Sequence, residues 1–293
     1  MRERDGELAE LVLAWYPAHA RDLPWRRSDC TPWGVLVSEI MLQQTPVARV
    51  EPVFLRWLQE WPRPSALAAA SRADVLRAWG KLGYPRRALR LHETAAVIAE
   101  RHGDVVPSDV EDLEALPGVG SYTARAVAAF GYRRRAPVVD TNVRRVVARA
   151  VHGAGDAGPA RTRADLADVD ALLPAADEPA ATVSAGLMEL GAVICTARAP
   201  RCDRCPLRES CTWVTTGRPV YGGPRKPVQG FAGTDRQVRG RLLDVLRAAT
   251  EPVERTALEA VWSDAAQRDR CLDSLLVDGL AEQHADGRLA LPA

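Results

Sequence analysis

Cys195, Cys202, Cys205 and Cys211 stand as C-x6-C-x2-C-x5-C inside 17 residues, a density of thiols that packing alone does not explain. Four soft ligands so close together can surround one metal centre. Tetrahedral zinc usually takes two tight C-x2-4-C knuckles, and only Cys202 and Cys205 form one, so the wider spacing favours a four-iron, four-sulfur cluster over zinc. Arg198, Arg201, Arg204 and Arg208 interleave the thiols and would offset the negative charge of such a centre. They can also present a positive loop to a phosphate backbone, or form a plain solvated face. A second feature is Leu116-Pro117-Gly118-Val119-Gly120, set between an acidic helix over Asp109 to Leu116 and an Ala-rich helix over Thr123 to Phe130. Its two glycines allow a close backbone approach, and N–H groups at the start of the next helix suit a phosphate, which is the logic of a helix-hairpin-helix DNA turn. A plain αα-corner fits the same five residues.

These groups need a scaffold, and it reads as all-α. From Glu7 to about Asp177 apolar residues recur at spacings of three and four, as in Leu8, Leu11, Val12 and Trp15, with Gly or Pro closing each run. Thr31-Pro32 starts a helix through Val35 to Leu42. Asp140, after the apolar run Pro137 to Val139, is placed to cap a helix from Asn142 through Val147. The segment Gly217 to Gly233 has five glycines, three prolines and no periodicity, so it reads as a linker. Three helices follow, over Asp235 to Ala249, about Thr256 to Trp262 and Ala265 to Asp278, then a hairpin about Asp286-Gly287. That order suggests a small winged-helix-like module.

With 293 residues, 47% of them apolar, the chain has material for two domains and is not a disordered protein. Its net charge of +1, from 39 basic and 38 acidic residues, announces no polyanionic partner, so nucleic-acid binding requires local basic patches. Only Lys81 and Lys226 are lysines, which leaves two candidates for any Schiff-base chemistry. The first residues lack a signal-peptide core and no apolar run spans a membrane, so the expected setting is intracellular, where cysteines stay reduced and clustered ones bind metal. Cys30 and Cys271 lack the pattern and read as packing or surface residues.

The hairpin, the cysteines and the sequence between them resemble the endonuclease III superfamily of base-excision glycosylases, and within it the MutY-type adenine DNA glycosylases. The resemblance rests on LPWR at Leu23 to Arg26, SEIMLQQT at Ser38 to Thr45, KLGY at Lys81 to Tyr84, LPGVGSYT at Leu116 to Thr123, VVDTNVRRV at Val138 to Val146 and MELGAVIC at Met188 to Cys195. It implies an all-α helix-hairpin-helix glycosylase fold, with a six-helix barrel over residues 28–136 and a cluster domain from residues 1–27 and 137–216. Residues 217–234 would be the linker and 235–293 the winged-helix-like module. It also implies a [4Fe-4S] cofactor on Cys195, Cys202, Cys205 and Cys211, and a monomer acting in the bacterial cytoplasm, at the nucleoid, on double-stranded DNA containing a mismatch.

The same resemblance assigns roles. Glu39 matches the general acid; mid-helix between Val37 and Ile40, its charged form would be costly, which suits a proton donor working near neutrality. Asp140 matches the carboxylate that steadies the oxocarbenium-like sugar after adenine leaves. The pair should thus show opposed pKa shifts, with Asp140 the ionised member. Tyr122 stands where lyase-competent relatives carry a nucleophilic lysine, so this chain should hydrolyse the glycosidic bond without cutting the strand. Tyr122 and Asn142 would position the sugar and Asp140. Gln44 and Tyr84 match residues that enter the duplex stack, Trp25 and Arg26 the wall of the adenine pocket, and Gly118 and Gly120 the DNA-contacting hairpin.

Four departures bear on specificity. Pro85-Arg86-Arg87 follows Tyr84 where the family usually has a second tyrosine, Ser184-Ala185 replaces an Asn-Gln or Asn-Glu pair, and Thr141 replaces a common glycine. Residues 235–293 are also too few, and too helical, for the Nudix-like domain that reads 8-oxoguanine in typical members. Arg236, Arg239 and Arg241 on the first tail helix would add phosphate contacts instead. Two alternatives to an adenine glycosylase therefore stay open: a glycosylase for another mismatched base such as thymine, and a non-catalytic iron–sulfur DNA-binding regulator.

Overall fold

The computed structural model describes residues 3–223 and 230–293. Spacing by three and four puts Leu8, Val12 and Trp15 on one face of the helix Glu3–His19, and that face is buried against the helix Asp177–Val193. Helices Thr141–Ala150 and Thr162–Leu172 complete the core, which Leu207 and Cys211 of the cysteine segment close. Each such fully buried side chain contributes about 1.5–3 kcal/mol of transfer free energy. Arg4 ties the first helix to the cysteine segment by donating to Ser210 O at 2.9 Å.

A second core forms round three tryptophans. Trp57 of the helix Val47–Glu60 meets Trp61 edge-on at 4.6 Å and Trp79, from the helix Arg72–Trp79, at 5.7 Å. The long helix Arg86–Arg101, with Leu91, Ala95 and Ile98 buried, packs against the helix Arg72–Trp79. Pro64–Ala68 packs on the same helix.

Contacts divide the chain into two compact units, one of Met1–Leu36, Ser108–Ala115 and Val119–Lys226, the other of Val37–Pro107, Leu116–Gly118 and Pro227–Ala293. This grouping differs from the expected split. Residues 28–36 and the hairpin helices Val110–Glu114 and Ser121–Ala126 side with the cysteine segment, and residues 235–293 side with the tryptophan-centred helices instead of standing alone. Of the expected linker, residues 224–229 lie outside the described residues, as does Lys226, while Pro219 O accepts from Trp213 Nε1 at 2.9 Å within the first unit. Among the described residues no helix is long and apolar enough to cross a membrane.

The C-terminal segment has the expected order: helices Asp235–Ala248, Arg255–Glu259 and Ala265–Val277, then antiparallel strands Glu282–Gln283 and Leu289–Ala290, with a bridge from Val253 to Leu289 adding a third edge. Leu242, Leu246, Leu258, Leu272, Leu275 and Leu289 form its core. It is fastened to its neighbours in the second unit. Arg247 Nε donates to Leu76 O at 3.1 Å, and Asp244 and Asp278 pair with Lys81 at 3.5 Å and Arg86 at 3.3 Å.

Two local readings change. The Ala-rich helix expected over Thr123 to Phe130 is a short α-helix, Ser121–Ala126, followed by a wider π turn, Val127–Gly131. In the hairpin only Gly118 takes a left-handed backbone, at φ +73°, while Gly120 sits at φ −95° with open space where a Cβ would be. A Cβ on Gly118 would lie 2.9 Å from Arg90 Cβ. Gly118→Ala should therefore lower the unfolding free energy by about 1–3 kcal/mol. Urea unfolding measures this, and a loss below about 0.5 kcal/mol would mean that the turn tolerates a side chain.

Candidate active site and metal centre

Asp140 ends an apolar run at the N-terminus of Thr141–Ala150, and its side chain caps that helix. Oδ1 accepts from the backbone N–H of Asn142 at 2.8 Å and of Val143 at 2.7 Å, and Oδ2 accepts from the Asn142 amide at 2.8 Å. Burial pushes the carboxyl above the usual aspartate range, while those three donors and the Arg145 charge pull the other way without cancelling it. Desolvation thus outweighs the donors, and the Asp140 carboxyl is shifted up, not down.

Behind the cap stands Arg145. Its Nη2 donates to Asn142 Oδ1 at 2.8 Å and to Gly191 O at 2.7 Å, and its Nε donates to Cys195 O at 2.7 Å. One guanidinium thus joins the residue that orients Asp140 to the backbone of the first cysteine. Gly191 has to lack a side chain here, since a Cβ would lie 2.8 Å from Asn142 Cβ. Sequence reasoning missed Arg145: the adjacent Arg144 looks the same but pairs with Asp165 at 2.8 Å.

Arg26, expected in a pocket wall, forms an ion pair with Glu189 Oε2 at 2.9 Å, and Arg21 Nε bonds Oε1 at 2.6 Å. Glu189 is fully buried. Burial alone would raise its carboxyl, but the two arginines outweigh burial and hold it below its usual range. Glu189 is a second residue missed, legible only as the acid inside MELGAVIC. Trp25 is buried beside Arg26, and Tyr122 lies in the first turn of Ser121–Ala126. Ser184, one of the departures, is a buried donor to Ala136 O at 3.1 Å, and Ala185 is buried next to it.

The four cysteines of the segment are free thiols. With Ile194, Pro200 and Trp213 they line one pocket. Among the described residues no three His, Cys, Asp or Glu side chains converge on a single-ion site. Arg149, 4% exposed, donates to Cys195 Sγ at 3.4 Å and to Thr196 O at 2.8 Å, a buried cation suited to an anionic centre. Burial, with the neighbouring thiolates, pushes the Cys205 thiol up to about 12. The Cys205 thiol therefore stays protonated until a metal displaces its proton. Four cysteines round one pocket, with a buried cation beside them, fit an anionic iron–sulfur group.

In the second unit, Glu39 is 6% exposed in the helix Pro32–Leu42, which Thr31 caps by accepting from Gly34 N at 3.2 Å. The chain leaves that helix through Gln44 at φ +56°, and Tyr84 takes φ +48°, both left-handed and costly for residues with side chains. Arg87 holds both turns. Nη1 caps the helix at Ile40 O (2.6 Å) and Met41 O (3.1 Å), and Nη2 reaches Thr45 Oγ1 and Gly83 O, each at 3.0 Å. The guanidinium lies 5.2 Å from the Trp79 ring and 5.5 Å from the Tyr84 ring, and burial lowers its pKa to about 10. Arg87, within the departure Pro85-Arg86-Arg87, is the brace between the Gln44 and Tyr84 turns.

Two measurements check these centres. Carboxyl 13C titration should place Asp140 above an exposed aspartate, and Asn142→Ala should move it further up, because a donor favouring the charged form is gone; a downward move would contradict the assigned balance. Anaerobically prepared protein should carry four iron and four sulfide per chain, lost in Cys205→Ser, whereas stoichiometric zinc without iron would refute the cluster.

The sequence profile of the HhH-GPD superfamily of base excision DNA repair proteins matches residues 37–169, and that of the iron–sulfur binding domain of endonuclease III matches residues 195–211, the span from Cys195 to Cys211. An adenine DNA glycosylase of Mycobacterium tuberculosis (strain ATCC 25618 / H37Rv) is 63% identical over 282 residues, 96% of this chain and 92% of the relative. One of Mycolicibacterium smegmatis is 64% identical over 281 residues, 96% of this chain and 94% of the relative. Among solved structures, a thermostable thymine-DNA glycosylase superposes with a TM-score of 0.66 at 25% identity, covering 73% of this chain and 97% of its own. Identity of that extent over nearly the whole chain makes this protein a member of the MutY-type adenine DNA glycosylase family.

Proposed function

We propose that this chain removes adenine mispaired with guanine or 8-oxoguanine from double-stranded DNA, hydrolysing the N-glycosidic bond and leaving the strand uncut. It is a base-excision repair hydrolase of the adenine glycosylase type, and its cofactor is a [4Fe-4S] cluster. The observation that carries the finer reading is Asp140, a half-buried carboxyl held by three donors at a helix N-terminus. A carboxylate has about four lone-pair sites. Those three donors leave one on Oδ2 for a cationic sugar carbon.

Glu39 acts as the proton donor to adenine N7, which lets the base depart neutral. Asp140, ionised, then steadies the oxocarbenium-like C1′ while water attacks. Asn142 orients Asp140, and Tyr122 packs against the sugar. No lysine lies in the hairpin, so no Schiff base forms there. Trp25 and Arg26 wall the adenine pocket, and Gly118 and Gly120 bring the hairpin backbone to the phosphates. Gln44 and Tyr84 enter the stack beside the extruded base; their strained backbones and the Arg87 brace support that reading. Cys195, Cys202, Cys205 and Cys211 would hold the cluster, which when bound supplies the covalent staple that fixes the arginine-bearing loop against DNA. As a functional division, residues 28–136 form the barrel and residues 1–27 with 137–216 the cluster domain. The protein works as a monomer in the cytoplasm, at the nucleoid.

A base-release assay on duplexes carrying A, T, C or U opposite guanine and 8-oxoguanine tests this. Adenine should be the base released, and Glu39→Gln and Asp140→Asn should each slow release by about 10²-fold or more while duplex binding survives. Borohydride should trap no covalent adduct. Release of thymine instead, a near-wild-type rate in either variant, or a trapped adduct would each overturn the corresponding assignment.

A further inference from the structure

Tyr84 is held from two sides. Arg87 lies at one ring face, and Arg236, from the helix Asp235–Ala248, donates from Nη1 to the Tyr84 hydroxyl at 3.0 Å with its Cζ 6.0 Å from the ring centre. The same guanidinium lies 5.6 Å from the Phe231 ring. Tyr84 is 41% exposed and Phe231 56%, so the trio forms an open aromatic and cationic strip. The C-terminal segment also grips the turn on either side of Tyr84, through Asp244 on Lys81 and Asp278 on Arg86.

The other arginines of that helix are spent internally. Arg239 pairs with Asp278 at 2.6 Å, and Arg241 lies 5.1 Å from the Trp262 ring. Of the three arginines expected to add phosphate contacts, Arg239 is engaged inside the module, on an Asp278 that it shares with Arg86. Arg236 is the one directed at Tyr84. An exposed contact of this kind adds little to folding, and the segment is already fastened by Arg247 and its two aspartates. Exposed rings bracketed by guanidinium groups are, by contrast, the ordinary means of stacking on bases and meeting their phosphates.

We propose that the C-terminal module is a working part of the DNA-reading surface, in which Arg236 is a positioning residue that sets the orientation of Tyr84 and so tunes discrimination of the base opposite adenine. The proposal rests on the reading of Tyr84 as a residue that enters the duplex. It predicts coupling between two residues that a stabilising tail or a mere phosphate clamp would leave independent.

The test uses the full chain with Arg236→Ala, Arg236→Lys, Tyr84→Phe, Tyr84→Ala and the Arg236→Ala/Tyr84→Phe double variant. Single-turnover adenine release is measured opposite guanine and opposite 8-oxoguanine at two salt concentrations, alongside thermal unfolding. Arg236→Ala and Tyr84→Phe should each change the ratio of the two rates by about three- to tenfold. The double variant should change it no more than the larger single effect, Arg236→Lys should restore part of it, and unfolding should be unmoved. A uniform, salt-dependent weakening with an unchanged ratio would overturn the proposal, and so would additive effects. If Tyr84→Ala leaves the ratio untouched, the reading of Tyr84 falls and the proposal with it; if Tyr84→Ala alters the ratio but Arg236→Ala does not, the proposal alone falls.

Discussion

Placing an ionisable carboxyl at a half-buried helix N-terminus is a demand that the whole first unit has to meet. Desolvation works against the charged form of Asp140, and a buried charge without partners costs several kcal/mol. Two backbone N–H groups and the Asn142 amide answer that cost, and Asn142 keeps its orientation only because Arg145 occupies its other end. Arg145 in turn needs Gly191 O and Cys195 O as acceptors, which requires the helix Asp177–Val193 to approach so closely that position 191 tolerates no side chain. The loop beginning at Cys195 is thereby part of the same support. Whatever holds that loop in place also holds the carboxyl, so a cluster about the cysteines has consequences for Asp140 without touching it.

The second unit solves a related problem with the same side chain. A helix ends with carbonyls that lack intrahelical partners, and the helix carrying Glu39 ends with Ile40 O and Met41 O on the Arg87 guanidinium. From there the planar fork reaches Thr45 and Gly83, binding two left-handed turns into one body. A lysine has a single point of charge and could not span these acceptors. A chain with two lysines among 39 basic residues is thus well supplied with the side chain that both units use as a brace.

What the sequence disclosed follows the range of the interactions. The cysteine spacing was readable because a metal centre is assembled by near neighbours, and the Asp140 cap because an N-cap bonds two and three residues ahead. The winged-helix-like order of the tail was readable from periodicity and one Asp-Gly turn. Arg87, Arg145 and Glu189 were not, since each needs at least one partner about 40 to 170 positions away to act as a brace, and no local pattern separates them from ordinary surface charge. The same limit hid the pairing of Arg239 with Asp278, about 40 positions on. The hairpin helix spans its expected range, but alanines signal helix without signalling the change to wider π turns after Ala126.

Charge bookkeeping then bears on how a protein of net charge +1 can hold a polyanion. Most of its arginines are consumed at home: Arg21 and Arg26 on Glu189, Arg133 on Glu178, Arg135 on Asp170, Arg144 on Asp165. Arginines that cap carbonyls keep their charge but not their freedom to move toward a phosphate. The field available to DNA therefore comes from a few exposed groups, such as Arg198 and Arg204 in the cysteine segment, which among the described residues carry no side-chain hydrogen bond or ion pair. Sparse contacts of this kind give a modest salt dependence, since each neutralised phosphate releases its own counterion. They also shift the work of recognition from bulk attraction to the geometry of individual side chains, and that geometry is what the arginine braces hold.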